Sequence, residues 1–167
     1  NKVNYFAQDL RSERGCELAY SNVLQVFDGV DILINSAGAT KAGSFVEQPD
    51  SEMVDGFSLK FYSAVRLCRL FWPKLKERAG TVINIVGGFA RTPDPDFIVG
   101  TCVNSALATF SKALAGQGLR DDINVNWIHP GITVTDRMYE IFSARSVLES
   151  QSVEFIMKNK IKEENIR

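Results

Sequence analysis

The chain lacks the residues that most metal and disulfide sites need. Its 167 residues include one histidine, His129, and three cysteines without a CxxC pair. A structural zinc site takes four ligands, drawn mainly from cysteine and histidine, so the sequence predicts no metal centre. An odd number of cysteines at unrelated spacings is typical of reduced thiols, and we expect a cytoplasmic protein.

The chain also has little net charge and no long hydrophobic run. Nineteen Lys and Arg residues stand against 20 Asp and Glu residues, a formal net charge of -1 at pH 7. Nucleic-acid and anionic membrane surfaces need clustered positive charge, which this balance does not supply. No uninterrupted apolar run reaches the ~18 residues of a membrane span. The sequence therefore predicts neither a nucleic acid nor a membrane as partner.

Short apolar runs of strand length alternate with longer segments of helical spacing. The strand-like runs are residues 30–35, 81–86 and 123–128, with a weaker one at 2–6. The helical segments are residues 11–27, 51–78 and 103–115. This alternation predicts an α/β domain of the doubly wound, Rossmann type, with a mostly parallel sheet and helices on both faces. We expect residues 1–167 to form one domain, in which residues 136–167 form a helical lid on the substrate side.

Small, turn-forming residues follow each of the three strong strands. They are Ser36, Ala37 and Gly38, then Gly87 and Gly88, then Pro130 and Gly131. In an open parallel sheet, ligands bind beyond the carboxyl ends of the strands, and small residues let a ligand approach the backbone. One such turn is more often an ordinary connection, but three on one edge favour a ligand site.

These segments resemble the short-chain dehydrogenase/reductase family from residue 2 to about residue 136. NSAG at 35–38 is similar to the family's NNAG, Asp9 follows the first weak strand as the family's acidic residue does, and HPGITVT at 129–135 resembles its PG turn. The resemblance implies NAD or NADP as cofactor and a set of residues that contact it. They are Asp9, Asn35, Ala37, Gly38, Pro130, Gly131, Ile132 and Thr135.

The family's four working residues are replaced in this chain. Alignment on VINI at 82–85 and NSAL at 104–107 places Lys60 at the family's asparagine, Gly87 at its serine, Gly100 at its tyrosine and Asn104 at its lysine. GTCVN at 100–104 and TDRM at 135–138 resemble an atypical branch with GxxxN in place of YxxxK. The resemblance thus implies a coherent variant, in which an amide and an ammonium have exchanged positions.

Two functions from different classes follow from these replacements. In the first, the protein is an NAD(P)-dependent oxidoreductase for a small carbonyl or alcohol, Lys60 supplies positive charge as electrophile or general acid, and Asn104 bridges the ribose or a water. In the second, Gly87 and Gly100 widen the pocket of a non-catalytic dinucleotide-binding or scaffolding protein. Chemistry without hydride transfer, such as hydration or elimination, is a third alternative. We expect His129 to bond to backbone at a strand end.

The cofactor prediction depends on residues outside the printed chain. A glycine-rich phosphate turn would lie upstream of Asn1, and we expect the family's first βαβ unit and last strand to lie outside the chain as well. The only GxG, at 116–118, follows a helical segment and is interpreted as a helix stop. The family pairs subunits through long helices, here 51–78 and 98–116, which implies a homodimer or homotetramer.

Overall fold

The computed structural model describes residues 3–131 and 150–163, with single positions 135, 136, 139, 142, 143 and 146 between them. The chain divides into two compact units, Asn1–His129 and Pro130–Arg167. The helices are α1 (Glu13–Val26), α2 (Asp50–Gly56), α3 (Ser63–Lys76), α4 (Ile98–Asp121) and α5 (Val153–Glu163). The strands are β1 (Ile32–Asn35), β2 (Thr81–Ile85) and β3 (Asn124–Ile128). Of these elements, only α5 lies in the second unit. The role of residues 136–167 as a lid stays a prediction.

The three strands form a parallel sheet in the order β1-β2-β3, which confirms the predicted fold class. Alternate residues point to opposite faces, so one face buries Val82 and Val125 beneath the helices of the first unit. The other face carries Ile32 and Ile34, each 57% exposed.

The weak strand predicted at 2–6 is wrong within the described residues. Residues 3–6 are exposed and form no strand. A strand needs a neighbour for its backbone hydrogen bonds, and β1 pairs only with β2 among the described strands. A short segment with weak strand character therefore does not form a strand without a neighbouring strand.

Buried amides tie the sheet to α4. Asn35 Nδ2 donates to Asn84 Oδ1 at 2.8 Å, and Asn84 Nδ2 donates to Ser111 Oγ at 2.8 Å. The Ser111 hydroxyl in turn donates to the backbone oxygen of Leu107 at 2.7 Å. We call Asn35, Asn84 and Ser111 the amide ladder. It links β1, β2 and α4, and so fixes where the turns after the strands lie relative to α4.

The long helical segment predicted at 51–78 is present, but it changes its winding in the middle. Between α2 and α3 the six residues Phe57–Tyr62 form a π-helix. Such wider turns are rare in proteins, and those that occur are often at functional sites, because they change the direction of the side chains that they carry. Lys60 lies in this turn.

Helix α4 is longer than the predicted 103–115, and the interpretation of 116–118 as a helix stop is wrong. The helix continues to Asp121 and ends where Asp122 adopts φ 56°. A Cβ atom on Gly118 would lie 2.2 Å from the backbone oxygen of Ile123, so this glycine allows the chain to return closely toward β3. By length and composition the stretch Pro95–Asp121 could also span a membrane. Val99, Val103 and Leu107 of this stretch are buried in the first unit.

The end of α4 is attached to α3 through one carboxylate. Asp121 accepts hydrogen bonds from Lys76, from Trp72 Nε1 at 2.9 Å and from Gln117 Nε2 at 2.7 Å. These bonds, that of Lys76 first, lower the pKa of Asp121 below its ordinary 3.8. A carboxylate with a lowered pKa stabilises the fold above the unfolded value and loses that effect as pH falls.

We therefore expect Asp121→Asn to reduce the free energy of unfolding at neutral pH, and the reduction to shrink below pH 3.8. Urea titrations at neutral pH and at about pH 3 measure the difference. Asp122→Asn is the matched control, because its exposed carboxylate forms no hydrogen bond within the described ranges. An Asp121→Asn effect of equal size at both pH values would contradict this account.

Candidate active site

Lys60 reaches the turn that follows β1. A Cβ atom built on Gly38 would lie 2.9 Å from Lys60 Cδ and 3.3 Å from its Cγ, so the lysine chain lies directly against this glycine. The π-helix that carries Lys60 thereby brings its aliphatic stem to the carboxyl end of the sheet. The structure places together two residues, Lys60 and Gly38, that the sequence assigned to one site.

The space beside Gly87 is filled by Asn104. A Cβ atom on Gly87 would lie 2.6 Å from Asn104 Nδ2, 3.1 Å from its Cγ and 3.2 Å from its Oδ1. Asn104 is 5% exposed, and its Oδ1 is buried without a hydrogen-bond partner. Asn104, which aligns with the family's lysine, therefore places its carboxamide beside Gly87, which aligns with the family's serine.

The space beside Gly100 is filled by an aromatic ring that the sequence did not single out. A Cβ atom on Gly100 would lie 1.8 Å from Cε1 and 2.2 Å from Cζ of Phe97. The ring of Phe97 also contacts that of Phe89, with centroids 5.1 Å apart and planes inclined by 56°. Phe97 thus occupies the region into which the family's tyrosine would project.

A short 3₁₀ turn, Pro95–Phe97, holds Phe97 in this place. Asp94 begins the turn, and its Oδ1 accepts a hydrogen bond from the amide of Asp96 at 2.9 Å. The amide of Asp94 in turn donates to Thr101 Oγ1 at 3.3 Å, which ties the turn to the first turn of α4. The PDPDF sequence at 93–97 is the only signal for this arrangement, and it indicates a turn without indicating where the ring lies.

The pocket widening expected of a degenerate site is absent at both glycines. The carboxamide of Asn104 takes one space and the ring of Phe97 takes the other. Each glycine is therefore matched by a larger neighbour, and a side chain added at either position would collide with it.

His129 has a structural role, as expected. Its Nε2 accepts a hydrogen bond from Trp127 Nε1 at 3.1 Å, and its Nδ1 lies 3.0 Å from the backbone oxygen of Gly87. Because an indole N–H can only donate, Nε2 is the unprotonated nitrogen and Nδ1 donates to Gly87. Both ring nitrogens are engaged, and the imidazole holds the Gly87 turn against the end of β3.

The residues assigned to the adenosine side of the cofactor lie shortly before α1 and at the carboxyl end of β1. Asp9 Oδ1 accepts from the amide of Arg11 at 3.0 Å and from its guanidinium at 3.2 Å. These bonds, that of the Arg11 amide first, lower the pKa of Asp9, which keeps the carboxylate ionised. Asn35 is buried in the amide ladder, and its Oδ1 has no hydrogen-bond partner. Contact of Asp9, Asn35 or Ala37 with a cofactor stays a prediction.

The four residues assigned to the nicotinamide side all belong to the second unit. Pro130, Gly131 and Thr135 are described there, whereas Ile132 lies outside the described residues. Their contact with a cofactor also stays a prediction. Within the described ranges, no group of three His, Cys, Asp or Glu residues could hold a metal ion.

A cavity of about 470 Å³ lies at the end of β3. Its lining residues are Arg91, Asn126, Trp127, Ile128 and His129. None of Lys60, Gly87 and Asn104 lines it, but His129 joins it to the Gly87 turn. The cavity therefore adjoins the candidate site at the strand ends.

Comparison with known proteins agrees with this geometry. The short chain dehydrogenase family model matches residues 1–146. Nodulation protein G of Rhizobium sp. (strain N33) is 33% identical over 115 residues, which are 66% of this chain and 47% of that protein. The uncharacterized oxidoreductase YvaG of Bacillus subtilis (strain 168) is 29% identical over 131 residues, 78% of this chain and 48% of that protein. The chain spans about half the length of the curated relatives it matches.

Among solved structures, L-sorbose reductase from Gluconobacter frateurii, in complex with NADPH and L-sorbose, superposes with a TM-score of 0.87. It is 26% identical, and the match covers 94% of this chain and 60% of that chain. The similarity extends over the described sheet and its helices. On the family match, the fold and the turns at the strand ends, the chain belongs to the short chain dehydrogenase family.

Proposed function

We propose that the protein is an NAD(P)-dependent oxidoreductase acting on a small carbonyl or alcohol, in which Lys60 supplies the positive charge at the reacting oxygen. The observation that carries the proposal is the contact of the Lys60 stem with Gly38 at the carboxyl end of β1. A cation in a partly water-excluded cleft stabilises negative charge that develops on a substrate oxygen. Lys60 serves there as electrophile or general acid.

The residues present fit the dinucleotide on the evidence of two features. The NSAG turn carries a buried acceptor without a donor, Asn35 Oδ1, beside a cavity of about 60 Å³ lined by Asn35, Ser36 and Ala37, which takes one small group of the cofactor and not the whole adenosine. The ionised Asp9 adds an acceptor for an amino group. Asp9 and the NSAG turn would hold the adenosine side of the cofactor. When bound, the nicotinamide supplies or accepts a hydride.

Similarity to L-sorbose reductase supports a carbonyl substrate and leaves both NAD and NADP as candidates.

The proposal also includes a cytoplasmic homodimer or homotetramer that pairs through α2–α3 and α4. Exposed apolar side chains of the first segment support such pairing, namely Val54 on α2 and Tyr62 in the π-helix. Light scattering of the full-length protein measures the assembly.

The test of the function uses the full-length protein with NADH or NADPH and a carbonyl panel of cyclohexanone, ethyl acetoacetate and L-sorbose. Lys60→Ala is expected to lower kcat/KM by about 10²-fold, the effect of removing one charged group at the reacting oxygen. Lys112→Ala is the matched control, since this exposed lysine on α4 lies at none of the candidate positions. Cofactor binding without turnover of any panel member, unchanged by Lys60→Ala, would instead identify a non-catalytic dinucleotide-binding protein.

A further inference from the structure

The Asn104 carboxamide is the most deeply buried polar group of the candidate site without a partner. The side chain is 5% exposed, and its Oδ1 is buried without a hydrogen-bond partner. A buried acceptor without a donor is costly, and native proteins keep few of them. Such an orphaned amide therefore indicates a ligand atom or a water as its partner.

The position of the carboxamide shows which side of the site that partner occupies. A Cβ atom on Gly87 would lie 2.6 Å from Nδ2 of Asn104 and 3.2 Å from its Oδ1. Gly87 follows β2, and its backbone oxygen is fixed by His129 Nδ1 at 3.0 Å. Gly88 beside it has open space above its backbone. The amide, carried by α4, thus lies against a turn that has open space beside it at Gly88.

We propose that the Asn104 carboxamide binds the reacting oxygen of the substrate. The carboxamide itself occupies the space that a side chain at position 87 would fill. The inference rests on the proposed oxidoreductase function and differs from the expected bridge to the cofactor ribose. A carboxamide offers both a donor and an acceptor. Nδ2 donates to a carbonyl oxygen, and Oδ1 accepts from an alcohol O–H, so the same residue serves the oxidised and the reduced substrate.

Asn104 does not transfer a proton in this arrangement. Its amide donates and accepts hydrogen bonds but does not ionise near neutral pH. It positions the oxygen, and proton transfer stays with Lys60. Two separate groups, one from the π-helix and one from α4, then act on one substrate oxygen. The expected signature is a loss of turnover without a loss of cofactor affinity.

The test is a set of substitutions in the full-length protein with the same carbonyl panel. Asn104→Ala is expected to lower kcat/KM by about 10²-fold, as removal of one preorganised donor does elsewhere, with the NADPH dissociation constant unchanged. Gly87→Ser combined with Asn104→Ala places a hydroxyl in the vacated space. It is expected to recover about tenfold over the matched pair Gly87→Ala with Asn104→Ala, which differs from it by one oxygen atom.

Each outcome has a distinct meaning. Turnover that survives Asn104→Ala overturns this inference alone, as does equal activity of the two double variants. A weakened affinity for NADPH with unchanged kcat assigns Asn104 to the ribose instead and also overturns it. No turnover of any panel member by the unsubstituted protein overturns the proposed function and this inference together.

Discussion

Gly100→Tyr lowers the free energy of unfolding by about 3 kcal/mol, although it restores the residue usual in the family. The new side chain would have to enter space that the Phe97 ring fills, since even a Cβ atom would lie 1.8 Å from Phe97 Cε1. The Phe97 ring packs against that of Phe89, with centroids 5.1 Å apart, so moving the ring aside breaks that contact. Urea titration of Gly100→Tyr and the unsubstituted protein measures the loss.

Gly116→Tyr is the matched control for this substitution. It places the same residue in the same helix, but no atom lies within 4 Å of a Cβ at that position. We expect its effect to stay within about 0.5 kcal/mol. Phe97→Ala in the Gly100→Tyr background should recover stability, because it removes the colliding ring. Equal losses at positions 100 and 116, or no recovery, would contradict the assignment of this space to Phe97.

Asn84→Ala is expected to cost about 3 kcal/mol, because it removes the centre of the amide ladder. Asn84 is fully buried, accepts from Asn35 and donates to Ser111. Its loss leaves the Asn35 amide without its main acceptor and opens a cavity between the sheet and α4. Asn126→Ala on the neighbouring strand is the control, since Asn126 is exposed.

The measurement is again the free energy of unfolding from urea titration, with far-UV circular dichroism to follow the helices. The control should change it by no more than about 0.5 kcal/mol. Similar losses for the two variants would show that the ladder contributes no more than an exposed amide does. A loss confined to Asn84→Ala would support its role in placing α4 against the sheet.

Much of the fold follows from the sequence because its signals are local. The runs 30–35, 81–86 and 123–128 are apolar, and each contains an observed strand. The family resemblance, not this spacing, placed Lys60 in the site, and the spacing predicted only the strands and their parallel order. Such predictions depend on periodicity and on the parallel order of the strands, both of which survive in a single sequence.

What the sequence did not show depends on packing between separate segments. Phe97 fills the space at Gly100 only because the 3₁₀ turn folds back over the start of α4. Asn104 lies against Gly87 only because the amide ladder fixes α4 on the sheet. The weak strand at 2–6 failed for a similar reason, since it depended on a neighbouring strand. These contacts join residues whose local patterns give no sign of each other.

The central claim is that the site has been rebuilt with Lys60 and Asn104 and still transfers hydride. Its most direct test is to incubate the full-length protein with NADH or NADPH carrying deuterium at the hydride-donating carbon, together with the carbonyl panel, and to measure deuterium in the alcohol products. The account predicts deuterium at the former carbonyl carbon, with the rate about 10²-fold lower in Lys60→Ala. Tight binding of the deuterated cofactor with no deuterium in any product would contradict it.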